Sequence, residues 1–577
     1  MKELKFTEIL KLNRELRGYQ NSKPYEIAVI SNIVMTQLKD VLELSLRKEG
    51  INANVVSGDY DSIVQDSNRF SAHNAVLVFW EAGNLVEGLH NNIYLMSPEE
   101  IQALSTRVEA ELDLVLRNLK SVPLVIINRF SSLQFDTNPL RDSPLRTLCT
   151  SLNEALFKLV QPNLIIVDID AILCEVGINA SIDQRQYQSS KALYSFEFFK
   201  SYAQAIKPAF MAATGHIKKV LVLDCDNTLW SGVLGEDGEL GIQMSDTTNK
   251  GKAFREVQTI ICGLQKEGVL IALCSKNNLS DVDSVIQNHP DMLLRENIFV
   301  KKIINWNDKA TNLRRLANEL NLGLDSFVFV DDSDFEIGLI QKELPQVKCV
   351  QVPQNPSEYP LLMRKLRNEF FALSISSEDK SKTEMYRQDL MRKEDANKFD
   401  SIEDYLKSLE LRISVLWDMN IPVSRAAQMT QKTNQFNLTT RRYTESDILN
   451  MLNSQEYIMA VLSLSDRYGD YGVTGMSIIK LRQDAIGSAI IDSFLMSCRI
   501  IGRNVEYRFF DAIARKLAKE GIKQLHAEYL ATTKNNQVNE FYDKLGFVLI
   551  DENEIRKEYR IDLDEYKQSS FSYIYCD

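Results

Sequence analysis

Histidine is scarce in these 577 residues, with five in all, and cysteine is sparse, with eight. Their placement excludes more than their number. No two cysteines form a C-x-x-C pair, and none stands at zinc-like spacing from a histidine, so no structural zinc site is expected. His73, His90, His216, His289 and His526 form no pattern of a nucleophile–base–acid triad. No run of about 18 apolar residues occurs, which excludes a spanning helix and predicts no membrane partner. The net charge of −12 leaves no general basic surface, which argues against a nucleic-acid binder. The start, MKELKFTEILKLNREL, has charges spaced through it and reads as an amphipathic helix rather than a secretion signal. Together with reduced cysteines this predicts a cytoplasmic protein.

What is present is enough for several cores. The length predicts three or four domains, and 44% hydrophobic with 25% charged residues is ordinary for globular protein. Short apolar runs at 25–31, 75–80, 122–128 and 163–168 alternate with helical segments such as 36–49, 100–119 and 192–213. That alternation predicts a parallel α/β domain over 1–215. A second α/β domain is expected over 216–373. Its strands are read at 219–224, 269–274, 298–300, 326–331 and 347–352, with helices near 251–267, 280–288 and 308–321. Residues 374–410 are charged and poor in large apolar side chains, which predicts a linker with one or two exposed helices. From 411 to 577 the pattern predicts an α+β domain. Its strands are read near 411–416, 457–464, 472–480 and 486–497, and helices at 503–519 and 535–544.

The most informative segment is 220–228, Val-Leu-Val-Leu-Asp-Cys-Asp-Asn-Thr. An apolar β-branched run ends in Asp224, Asp226 and Thr228, and buried parallel strands carry their chemistry just past the carboxyl end. Two carboxylates that close need a cation or a shared proton, and Mg²⁺ suits oxygen ligands. Three later features fit phosphoryl chemistry. Strand 269–274 runs into Cys274, Ser275, Lys276 and Asn277, whose hydroxyl and N–H groups can hold a phosphoryl oxygen. Lys309 opens a helix and can neutralise a transferring phosphoryl group, with Lys301 and Lys302 as competitors. Strand 326–330 ends in a second acidic pair, Asp331 and Asp332. Three glycines in Leu229–Gly238 predict a hairpin flap, too small to be a large cap, so the pocket would admit a carrier protein's arm.

This order of D-x-D-x-T, strand-Ser, Lys and strand-Asp-Asp resembles the haloacid dehalogenase superfamily. The resemblance implies a Rossmann-like domain in which Asp224 is the nucleophile and Asp226 the general acid and base. Thr228, Ser275, Lys276, Asn277 and Lys309 would surround the phosphoryl group. Asp224, Asp226 (through its carbonyl), Asp331 and Asp332 would hold Mg²⁺. The strings LDCDNTLWSGVLGEDG, ALCSKNN, NWNDKATNLRRLANELNLGLDSFVFVDDS, TQKTNQFNLTTRRYT, LSDRYGDYGVTG and SCRIIGR are, further, similar to the FkbH-like proteins. That implies a phosphorylated three-carbon substrate, 1,3-bisphosphoglycerate, and transfer of the glyceryl group to an acyl carrier protein thiol. A protein cysteine could hold the acyl group in transit. Cys274 is the favoured candidate, and Cys225, between the aspartates, should point into the core.

The last domain resembles a Gcn5-related acetyltransferase at Cys498–Asn504, between a strand and a helix. Arg499, Gly502 and Arg503 are the residues expected to hold coenzyme A or a carrier-bound phosphopantetheine. Asn504 stands where the family has glycine or alanine. The polar string Gln431–Asn437, with Arg441 and Arg442, is expected to line the same groove. The first domain, with Ser31-Asn32 after its first strand, resembles the SGNH-hydrolase fold, but no histidine follows Asp168-Ile169-Asp170, so it is read as inactive. Two other functions stay open: a small-molecule phosphatase fused to an acyl-coenzyme A transferase, and a carrier-binding scaffold without catalysis.

Overall fold

The computed structural model describes residues 4–17, 24–136, 140–373, 382–396, 398–399, 401–482, 487–532 and 534–576. The chain divides into two compact units. The first comprises Met1–Thr214 with Arg442–Asn450, and the second comprises Gly215–Arg441 with Met451–Asp577. Among the described residues the strands form three sheets.

In the first unit β1 (Tyr25–Ser31), β2 (Ala53–Ser57), β3 (Ala75–Phe79), β4 (Leu124–Asn128) and β5 (Leu164–Val167) form a parallel sheet ordered β2-β1-β3-β4-β5. All five residues of β3 and of β4 are buried, as strands covered on both faces must be. β2 was not foreseen: its Ala-Asn-Val-Val-Ser sequence lacks the continuous apolar run of its neighbours, because it lies at the sheet edge. Ser31 ends β1 and Asp168 follows β5, three strands away, roughly 14 Å at about 4.8 Å per strand. Asp168 instead caps the helix Ile169–Val176 and pairs with Arg129 at 2.7 Å. Ser446, from the returning segment, donates to the Lys120 carbonyl at 2.7 Å.

The second unit starts with β6 (Val220–Leu223), β7 (Leu270–Ser275), β8 (Phe299–Ile304), β9 (Phe327–Asp331) and β10 (Lys348–Gln351). They form a parallel sheet ordered β10-β9-β6-β7-β8, with β6 central. Alternate side chains of β6 serve two cores. Leu221 and Leu223 pack with Phe254, Val257 and Ile286. Val220 and Val222 pack with Leu313, Leu316 and Ile340 on the other face.

The expected exposed linker is corrected here. Residues 374–381 lie outside the described residues, but the helix Lys382–Ala396 buries Tyr386 and Leu390 in the second of those cores. Its charge misled because several of its charged groups are themselves buried. The Arg392 side chain makes a two-pronged bond to Asp466 at 2.8 and 2.9 Å, and Asp389 pairs with Arg503 at 2.6 Å.

The remaining strands are β11 (Arg412–Trp417), β12 (Phe436–Asn437), β13 (Tyr457–Asp466), β14 (Gly469–Leu481), β15 (Ser488–Met496), β16 (Gln524–Leu530), β17 (Val548–Glu552), β18 (Arg556–Asp562) and β19 (Tyr575–Cys576). They pair in the order β17-β18-β16-β15-β14-β13-β11-β19, with β12 beside β15. Pairing is antiparallel except β15 with β16 and β11 with β19. Neither β12 nor anything from β16 onward was read as strand: β12 is two residues long, and β16 and β18 interleave apolar with polar and charged residues.

Asp466 holds a heavily bonded buried carboxylate in this unit. It accepts from Arg392, from the Tyr471 hydroxyl at 2.8 Å and from the Tyr468 and Gly469 amides, with Arg503 close by. Removing it leaves two buried guanidinium groups short of a counter-charge. Asp466→Ala is expected to lower unfolding free energy by about 3–5 kcal/mol. Urea denaturation measures this, and a loss below about 1 kcal/mol would show that the network adds little.

Candidate active site

The carboxyl ends of β6, β7 and β9 converge on one buried polar centre. Asp224 follows β6, its amide bonded to the Val330 carbonyl of β9 at 3.0 Å. Asp331 is the last residue of β9 and is fully buried. Lys309 opens the helix Lys309–Leu320, whose start is fixed by Asp308 accepting from the Thr311 amide at 2.7 Å. That start aims Lys309 inward. Its Nζ lies 2.7 Å from Asp224 Oδ1 and 2.5 Å from Asp331 Oδ2. The competing lysines are engaged elsewhere: Lys301 with Glu319 at 3.2 Å, and Lys302 with Asp283 at 2.6 Å and Glu296 at 2.5 Å.

Asp224, Asp331 and Asp332 each bring one carboxylate oxygen within 4.8 Å of the others. One ammonium among three carboxylates leaves two negative charges uncompensated. The consequence is visible in their proton affinity. Burial pushes the Asp331 carboxyl up to about 6, and the Asp224 charge adds to the shift. Asp224 and Asp332 are raised as well, burial being the main cause. Burial disfavours the Lys309 ammonium, but Asp224 and Asp331 hold it above its ordinary value. A cluster of hard oxygen donors with two charges to spare fits a small divalent cation such as Mg²⁺.

Asp226 is held differently. Oδ1 accepts from the Trp230 indole and the Leu234 amide, both at 3.0 Å, and Oδ2 from Asn277 at 2.9 Å. Its carboxylate is thus oriented by the flap and by β7's end rather than gathered into the three-carboxylate cluster. The intervening Asn227 sits at φ 50, a left-handed conformation that asparagine tolerates, and accepts from the Gly232 amide at 3.0 Å. This turn lets both aspartates face the pocket. Ser275 is 1% exposed and its side chain bonds Asp224. The Thr228 hydroxyl is buried with no hydrogen-bond partner among the described residues.

The flap is not the expected hairpin. It is a loop with one helical turn, Leu234–Asp237, closed by a bridge between Ser231 and Gln243. Trp230 is buried beneath it while Leu240 is 98% exposed at its rim. Gly241 is required there: a Cβ would lie 2.2 Å from the Asp237 carbonyl oxygen.

Four sequence expectations are corrected. Cys274 packs in the core among Val222, Ala272 and Leu313, its thiol pushed up to about 12, chiefly by burial, so it is neither reachable nor readily ionised. Strand alternation is the reason: Ser275 faces the pocket, so its neighbour cannot. Lys276 turns away to Glu336 at 2.6 Å. Arg503 is committed to Asp389 and Tyr471. Arg499 donates to the Tyr471 carbonyl at 3.3 Å, and Gly502 adopts φ 85. Finally, Gln431–Asn437 does not merely line a groove. β15 and β16 pair only over Ser488–Ile491, then diverge. β12 fills the gap: Phe436 and Asn437 pair with Met496 and Leu495, the Leu438 amide donates to Phe494, and the Leu530 amide donates to Leu438. The slot between those strands is occupied by the chain itself. The one residue here that reading by type missed is Asn277's role as the donor that fixes Asp226. Its position after a strand end was the available signal.

No protein-family model matches the chain, and no curated protein matches it. Among solved structures it is similar to the N-terminal part of the protein BF1531 from Bacteroides fragilis, which contains a phosphatase domain complexed with Mg. The TM-score is 0.57 and identity 24%, over 64% of this chain and all of that one. At that identity the likeness establishes a shared fold. A putative acetyltransferase of the GNAT family from Desulfovibrio desulfuricans matches at TM-score 0.21 and 11% identity over 26% of this chain and 99% of its own. The ribosomal-protein-S18-alanine N-acetyltransferase from Escherichia coli matches at 0.21 and 11% over 28% and 97%. Scores this low carry no weight for the third sheet.

The charge imbalance predicts linked proton and metal binding. Mg²⁺ affinity should fall as pH drops through about 6, because protonating Asp331 removes a ligand, approaching about tenfold per pH unit below that. Calorimetric titration at pH 5 and 7.5 checks this. Equal affinities would place the metal elsewhere.

Proposed function

We propose that the chain is a Mg²⁺-dependent phosphatase of the haloacid dehalogenase type, acting through an aspartyl-phosphate. The observation that carries this reading is the buried contact of Lys309 with both Asp224 and Asp331, with Asp332 completing the acidic cluster. The shared fold with a Mg-bound phosphatase domain supports it.

The residues divide the work. Asp224 attacks phosphorus while Asp226 protonates the departing alkoxide. Lys309 and the Ser275 hydroxyl hold the equatorial oxygens where charge gathers. Asp226, now a carboxylate kept in place by Trp230, Leu234 and Asn277, takes a proton from water. That water attacks the aspartyl-phosphate, releasing phosphate and restoring Asp224. Bound Mg²⁺ would neutralise the negative charge that the carboxylates and phosphoryl group share; Asp224, Asp331 and Asp332 would hold it, with the Asp226 carbonyl.

Its substrate, on the FkbH-like resemblance, is a three-carbon acyl phosphate such as 1,3-bisphosphoglycerate, with an acyl carrier protein as acceptor. The carrier's thiolate attacks the acyl carbon, the carbon–oxygen bond breaks, and phosphate leaves with the electron pair. The phosphomonoester at the other end is removed at Asp224. The small flap, with Leu240 exposed, supports entry of a long arm. Neither Cys274 nor Cys225 takes part, since both are core residues. Direct transfer replaces an acyl-enzyme.

Asp224→Asn should reduce phosphate release at least about 1,000-fold, whereas Cys274→Ala should leave it within about twofold. The carrier reading is tested by incubating the enzyme with Mg²⁺, 1,3-bisphosphoglycerate and holo-carrier protein, then weighing the carrier. A glyceryl adduct that persists in Cys274→Ala is expected. Phosphate release without any adduct would leave a plain small-molecule phosphatase.

A further inference from the structure

Tyr359 opens the helix Tyr359–Leu366, which follows β10. The end of β10 is fastened to the acidic centre. The Val352 amide donates to the Asp331 carbonyl at 2.9 Å, and Gln351 donates to the Asp332 carbonyl at 3.4 Å. The turn Pro356–Glu358, begun by Asn355 accepting from the Ser357 amide at 3.2 Å, then brings the chain back onto the sheet. Tyr359 enters one core with Leu223 and Cys225, which flank Asp224, and with Val330, which precedes Asp331. Phe254 meets its ring edge-on, 5.9 Å between centroids.

This packing accounts for the ring but not for the hydroxyl. Tyr359 is wholly buried, and its phenol oxygen has no hydrogen-bond partner among the described residues. A phenylalanine would fill the same space without taking an O–H group out of water. Buried hydroxyls are seldom left unpaired, so one that is calls for a partner outside the chain. The surroundings point to which. Burial raises the proton affinity of the phenol, and the charges of Asp224, Asp332 and Asp331 raise it further. These are the three residues whose carboxylate oxygens gather within 4.8 Å. A neutral hydroxyl beside such a cluster can donate to a carboxylate oxygen or accept from water. A small divalent cation brings both together, since it is surrounded by carboxylates and keeps several waters. Residues that hold the ligands of a metal from behind act through bonds of this kind.

We infer that Tyr359 is a positioning residue of the cation site, whose hydroxyl hydrogen-bonds the oxygens that surround a bound divalent cation. The inference rests on the reading of Asp224, Asp331 and Asp332 as a Mg²⁺ site. Its energetic signature is a split. Within the chain alone the hydroxyl costs stability, and with the cation it adds affinity. Tyr359→Phe should therefore leave the metal-free chain at least as stable as the original, while weakening Mg²⁺ binding about tenfold.

Calorimetric titration of the full chain with Mg²⁺, beside urea denaturation in EDTA, measures both halves. Tyr542 supplies the control. Its phenol is likewise buried without a partner among the described residues, but it lies in the core of the third sheet. Tyr542→Phe should leave Mg²⁺ affinity within about twofold. Mg²⁺ should also shift the near-ultraviolet tyrosine absorption of the original chain, and Tyr359→Phe should remove that difference. Equal Mg²⁺ affinity in Tyr359→Phe and the original chain would overturn the inference and leave the metal site standing. No Mg²⁺ binding by the original chain would overturn both. A loss of affinity matched by a loss of stability in EDTA, or shared by Tyr542→Phe, would make Tyr359 a packing residue and overturn the inference as well.

Discussion

Everything at the buried acidic centre follows from mutual repulsion of carboxylates placed on adjacent strand ends. β6 and β9 are parallel neighbours, so the acids that follow them converge. Burial strengthens their repulsion, because little water screens it. Lys309 relieves part of the strain, and only because Asp308 starts its helix at the right residue. The uncompensated remainder is what suits the site to a cation. An aspartate elsewhere on the surface would need none of this apparatus.

The third sheet shows the opposite design, in which the chain satisfies its own opening. Strands that part after a few paired residues leave amides and carbonyls exposed, and such edges must be covered. β12 covers them from within, with Asn535 donating to the Asn437 carbonyl at 2.9 Å to close the far side. The arginine that follows β15 takes a structural part instead. Arg503 accordingly serves as a buried tie between Asp389, Tyr471 and Asp466.

Much of this could be read from residues in order. The strands of the second unit's parallel sheet declare themselves as β-branched apolar runs, with Asp224, Asp226 and Asp331 at their ends and Lys309 at the start of a following helix. What stayed hidden is what depends on direction. Cys274 and Ser275 are adjacent in sequence, yet pleating sends one into oil and the other into the pocket. Lys276 was indistinguishable from a phosphate ligand until Glu336, sixty positions on, was seen beside it. Strands β16 and β18 were missed because half-exposed strands interleave apolar with polar and charged residues, which resembles loop in a single sequence. The segment 382–396 was misread for a related reason: its arginine and aspartates are partners for a sheet far along the chain.

That helix makes the second unit indivisible where its composition looks most divisible. A boundary placed at residue 373 would strip the second unit's parallel sheet of the helix that covers part of one face, baring the apolar surface around Leu313 and Val300. It would also strand Arg392 and Asp389 beside the third sheet without the core that orients them. The two sheets therefore cannot be shuffled as independent cassettes. They share a structural element, and a recombination event that separated them would have to rebuild a core on each side of the cut.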